Sequence, residues 1–112
     1  MKRLLWPLVL VSCSAHAEFW DGNKLLQALN GNHSEQMMAL GYVVGVADAV
    51  RSRDWCPTSP AITAGQIADV VKIALERTPS VRHLTGDTLV SASLASTWPC
   101  ASNRGGQGGK QL

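Results

Sequence analysis

The sequence predicts an all-α fold: a small bundle of about four helices with one disulfide, preceded by a signal peptide. Three observations predict it. Apolar residues recur at helical spacing from Leu25 to Trp98, bounded by capping residues and by Gly and Pro stops. The chain opens on an export signal. Two widely spaced cysteines, Cys56 and Cys100, lie beyond that signal, where an oxidising compartment lets them join.

The signal reads as Met1-Lys2-Arg3, an apolar run from Leu4 to Val11, and Ala15-His16-Ala17 as a cleavage site. The run is too short for a bilayer, which needs ~20 apolar residues. Cleavage after Ala17 makes residues 1–17 a signal peptide and places the rest in the periplasm. Leu10-Val11-Ser12-Cys13 also fits a lipobox, and lipidation of Cys13 is the one route to a membrane. Losing Lys2 and Arg3 from the ten basic residues brings them level with the eight acidic ones. The mature chain is then formally neutral. It has no basic run with interleaved aromatics, so it carries no signal for nucleic acid.

The first helix is expected over Asp21 to Leu29, with Asp21 as N-cap and Leu25, Leu26 and Leu29 on one face. Asn30-Gly31-Asn32 ends it, with Gly31 suited to a left-handed cap. The second runs from about Ser34, its expected cap, to Arg51. Its centre, Met37 to Ala47, is apolar nearly all round, as in a helix contacted from several sides. Gly41 and Gly45 share a face where another helix can approach. Val43, Val44 and Val46 leave a buried strand as the minority reading.

Ser52 to Pro60 is an irregular link. Thr63-Ala64-Gly65-Gln66 then fits a capping box, followed by Ile67, Val70, Val71, Ala74 and Leu75, the cleanest amphipathic stripe in the chain. Thr78-Pro79 ends that helix and starts a short turn. The last helix is expected over Gly86 to Thr97, with Val90, Leu94 and Trp98 on one face, widened by Leu89 and Ala92. Trp98-Pro99-Cys100 turns the chain back towards Cys56. A bridge there stabilises a small domain by ~4 kcal/mol through the unfolded chain. Residues 18–101 form the domain, and the Gly-rich stretch 102–112 reads as a disordered tail.

Catalytic signals are weak. His83, Asp87 and Ser91 can share a helical face, but three residues on one helix lack an oxyanion site and a held base. His33 and His83 have no metal-ligand spacing, and His16 leaves with the signal. Cys56 and Cys100 are not a C-x-x-C pair. No phosphate-binding glycine loop occurs, so no cofactor, metal or catalytic residue is assigned. Asp48 follows the apolar run. It is either the solvent end of the helix or a buried charge paired with Arg51, Arg82 or His83. Trp55, clear of the helical stripes, is read either as an anchor for a protein partner or as a ring packed over the disulfide.

The ordered runs Asp21-Gly22-Asn23-Lys24-Leu25-Leu26, Leu40-Gly41-Tyr42-Val43-Val44-Gly45-Val46-Ala47-Asp48, Cys56-Pro57, Gln66-Ile67-Ala68-Asp69-Val70-Val71, Thr78-Pro79-Ser80-Val81-Arg82-His83 and Trp98-Pro99-Cys100 resemble the Rap/Tai immunity family. The likeness covers Trp20 to Cys100. It implies a small exported helical protein that neutralises a peptidoglycan amidase effector of type VI secretion by binding, without chemistry. It also admits a homodimer. Where the family commonly carries a second cysteine pair, this chain has Ala28 and Ala39. No inhibitor loop carries over from the likeness. Asn30 to Ser34 and Arg53 to Ile62 are the candidates. The alternative function is a periplasmic chaperone or acid-stress binder similar to the HdeA-like proteins, against which the modest charge content argues.

Overall fold

The computed structural model describes residues 19–101. The expected signal peptide, the candidate lipobox at Cys13 and the Gly-rich stretch 102–112 lie outside the described residues. Four helices run in order: α1 Gly22–Leu29, α2 His33–Val50, α3 Ala64–Arg77 and α4 Gly86–Thr97. A 3₁₀ turn, Pro79–Val81, sits between α3 and α4. The described residues form no β-strand beyond two isolated bridges.

The first three helices start where side chains can satisfy the free amides of a first turn, whereas Thr85 at the start of α4 makes no such bond. Asp21 accepts from the Lys24 amide at 2.8 Å. Thr63 accepts from the Gln66 amide at 3.1 Å, half of the expected capping box. The cap of α2 is Asn32, not Ser34. Asn32 accepts from the Glu35 amide while the Glu35 carboxylate accepts from the Asn32 amide, both at 3.0 Å. An Asn with Glu three residues on closes both bonds at once, which Ser34 with Met37 cannot. Gly31 is likewise not a left-handed cap, since no described glycine has positive φ. Its missing side chain matters for room: a Cβ there would collide with the Glu35 carboxylate folded back over the turn.

The core joins all four helices. Leu25 of α1, Ala39, Val43 and Ala47 of α2, Val71 and Leu75 of α3, and Val90 and Leu94 of α4 are buried almost completely. The α2 run that reads as apolar all round is buried on one stripe only, Ala39, Val43, Ala47 and Val50. Neighbouring helices approach α2 over its alanines, where small side chains already permit close packing. Gly41 and Gly45 are exposed instead, and a Cβ at either would meet nothing within 4 Å. The strand alternative at Val43 to Val46 gives way to helix because this stripe recurs every three or four residues. Ala92 is also exposed, so the buried face of α4 is narrower than its sequence suggests.

Cys56 and Cys100 form the disulfide, with Cα atoms 4.8 Å apart. The Cys56 amide also donates to the Trp98 carbonyl at 2.9 Å. The segment ahead of α3 is therefore tied to the end of the bundle twice, by sulfur and by backbone.

Candidate partner-binding surface

The α2–α3 loop is the longest connection between described helices, residues 51–63. Its first half is fixed from beneath. Ser52, the only described non-glycine residue with positive φ (64°), donates its amide to the Trp55 carbonyl at 2.8 Å. The Trp55 indole donates to the Ala47 carbonyl at 2.8 Å and its ring lies 5.8 Å from that of Trp98. Trp55 is 3% exposed. The ring is packed into the core against Trp98, and almost none of it is left for a partner to grip. Asp54 accepts from Ser91 of α4 at 2.8 Å and pairs with Arg53 at 3.1 Å. The Arg53 guanidinium, then the Ser91 hydroxyl, hold the Asp54 carboxyl below its ordinary range.

The second half of the loop reaches solvent. Pro57 is half-buried, Thr58 to Ala61 are exposed in succession, and Ile62 returns to pack on the core. The Ala61 amide donates to the Ser59 hydroxyl at 3.1 Å, which shapes the tip. A cavity of about 210 Å³ lies beneath it, lined by apolar residues that include Val44, Trp55, Pro57, Ile62 and Ile67 and by the charged Asp48 and Arg51.

The other candidate loop, Asn30 to Ser34, is short and its polar groups are engaged. Asn32 serves the capping box, and the Gly31 carbonyl accepts from Gln36 at 2.9 Å. The α3–α4 connection is held down as well. The amides of Gly22 and Asn23 donate to the carbonyls of Leu84 and Arg82, each at 3.1 Å. Two shallow grooves flank the N-terminal half of α2, of about 260 and 230 Å³, with Met37 and Met38 on their walls. These methionines are 49% and 61% exposed.

The remaining polar candidates do not assemble. Asp48 is exposed and marks the solvent end of α2. Arg82 points elsewhere, donating from Nε to the Leu75 carbonyl at 2.7 Å and capping the end of α3. His83 precedes α4 in an exposed turn, Asp87 is exposed in its first turn, and the Ser91 hydroxyl is engaged by Asp54. Burial, and then the nearby Asp87 charge, push the Tyr42 hydroxyl above its ordinary range. Among the described residues, no group of three or more His, Cys, Asp or Glu side chains could hold a metal ion. None of the described helices is long and apolar enough to cross a membrane.

The side-chain caps from Trp55 and Arg82 were missed by sequence reasoning. Their one legible signal was a long donor side chain placed a few residues after a helix end.

In comparison with known proteins, residues 21–100 match a family model described as Rap1a immunity proteins. No curated protein matches the chain.

Proposed function

Because the chain belongs to the Rap1a immunity protein family, we propose that it is an exported, non-enzymatic protein that neutralises a peptidoglycan amidase effector of type VI secretion. The observation that carries this reading is the family match, which runs from the N-cap of α1 to the second cysteine of the disulfide. Immunity against an effector is a binding function. It needs a rigid surface with a few well-placed contacts and no chemistry. The four-helix core, closed by a disulfide, supports that reading, because a surface that is already ordered loses little freedom on association.

Export is part of the same reading, since an amidase acts on the cell wall and its inhibitor must meet it there. In this reading residues 1–17 direct the chain to the periplasm and are removed. The mass of the mature N-terminus tests this step: Glu18 first, or a lipid on Cys13 that holds the protein at the membrane.

The experiment for the function is co-purification of the exported domain with an amidase effector and loss of that effector's activity. Failure against every neighbouring or co-delivered amidase would remove the immunity role and leave the fold standing.

A further inference from the structure

We propose that the cavity beneath the α2–α3 loop is a binding site for a free α-amino acid with an apolar side chain. This goes beyond the immunity reading and does not depend on it.

The first observation is size and lining. At about 210 Å³ the cavity is smaller than the ~300–1,000 Å³ of a pocket for a drug-sized ligand, and so suits one molecule of amino-acid size. Its walls are largely apolar, with Val44 from α2, Trp55 and Ile62 from the loop and Ile67 from α3. An apolar side chain that enters it leaves water. The walls are also held in place. The Trp55 indole donates to the Ala47 carbonyl, and the disulfide ties Cys56 beside it. A cavity already formed loses little freedom when it is filled.

The second observation is charge. Asp48, in the last turn of α2, and Arg51, its C-cap, line the same cavity. Among the described residues, neither side chain makes a hydrogen bond or an ion pair. An anion and a cation thus stand unpaired beside one apolar cavity. The helix ends add to them. The C-terminal end of α2, where Asp48 lies, carries partial negative charge and favours an ammonium. Ala64, the first residue of α3, also lines the cavity and brings the positive end of that helix to it, which favours a carboxylate near Arg51.

A free α-amino acid carries an ammonium, a carboxylate and a side chain on one carbon. A residue within a peptide has lost both charges of that carbon, and a terminal residue has lost one. The lining therefore selects the free amino acid.

The test titrates the exported protein with L-leucine and follows its methyl and indole signals by NMR. The comparison probes are N-acetyl-L-leucine, which lacks the ammonium, L-leucinamide, which lacks the carboxylate, and glycine, which lacks the side chain. The expected result is saturable shifts at Val44, Trp55, Ile62 and Ile67, with each comparison probe weaker by roughly tenfold or more. Asp48→Asn and Arg51→Gln should each weaken L-leucine by a similar factor. Asp69→Asn, on the exposed side of α3, should leave its binding unchanged. Circular dichroism and Tm verify that all three variants fold. No saturable shift with L-leucine would overturn the proposal. So would blocked probes that bind as well as L-leucine, or Asp48 and Arg51 variants that bind it as well as the native chain.

Discussion

The Trp55 indole donates to the Ala47 carbonyl at 2.8 Å, so the loop leaving α2 is bound to the last turn of the helix it has just left. Ala47 lies in that last turn, where carbonyls have no partner further along the helix. Its neighbour Asp48 accepts from Arg51, and Val50 accepts from Arg53 and Asp54. The side chain of Trp55 thus completes a C-terminal cap and, through Trp98, joins it to the end of the bundle.

Trp55→Phe keeps a ring and removes the donor. It should cost about 1–2 kcal/mol, because the buried Ala47 carbonyl is left unpaired. Trp55→Ala should cost about 3–5 kcal/mol, adding the emptied volume. Urea denaturation of both variants gives the two numbers. Equal losses would mean that the hydrogen bond contributes nothing.

Arg82 plays the corresponding part for α3, with Nε on the Leu75 carbonyl at 2.7 Å and Nη2 on that of Glu76 at 3.4 Å. Arg82→Ala should destabilise by about 1–2 kcal/mol. Arg82→Lys should recover only part of this, since an ammonium lacks the fork that reaches two carbonyls. Thermal unfolding monitored by circular dichroism checks the order.

The glycines divide by environment. A Cβ at Gly86 would sit 2.7 Å from the Tyr42 hydroxyl and 3.0 Å from the Trp20 carbonyl, so Gly86→Ala should cost about 1–3 kcal/mol. Gly41→Ala and Gly45→Ala meet nothing and lie within α2. Each should stabilise by about 0.5–1 kcal/mol through helix propensity. A loss of stability at either position would show that their face is covered in solution.

Asp54 gives the fold an acid limb. Its folded-state pKa is depressed, first by Arg53 and then by Ser91. A depressed carboxyl stabilises the fold above its unfolded pKa, and that contribution is lost as pH falls through the folded value. Native protein and Asp54→Asn should therefore differ in Tm at neutral pH and converge in acid. Ser91→Ala should move the Asp54 titration upward, as read by carboxyl NMR shifts.

The disulfide closes a loop of 44 residues, and its removal by Cys56→Ser with Cys100→Ser should cost about 2–4 kcal/mol. The melting temperature under reducing and non-reducing conditions measures the same quantity. No change on reduction would mean that the hydrogen bonds around Trp55 and Trp98 hold the loop by themselves.

Much of the framework was legible from local chemistry. Apolar spacing placed Leu25, Val71, Leu75, Val90 and Leu94 in the core, and Asp21 and Thr63 announced their helices by the bonds their side chains make to nearby amides. These are interactions within a few residues, so sequence order encodes them directly. The α2 cap was misplaced by two residues because Ser34 and Asn32 are both good caps, and only the reciprocal Glu35 bond decides between them.

Tertiary structure decided what the apolar content of α2 could not. Met37 to Ala47 contains more apolar residues than one buried stripe needs, so hydrophobicity alone does not select the face. Packing against the other helices selects Ala39, Val43 and Ala47 and leaves the glycines and methionines outside. The same holds for Trp55 and Arg82. Their partners are backbone carbonyls that become available only where a helix stops and a later segment folds back over it. Local periodicity fixes which segments are helices. Which side chains remain free to meet another protein depends on contacts between segments far apart in the chain, and only the assembled bundle supplies them.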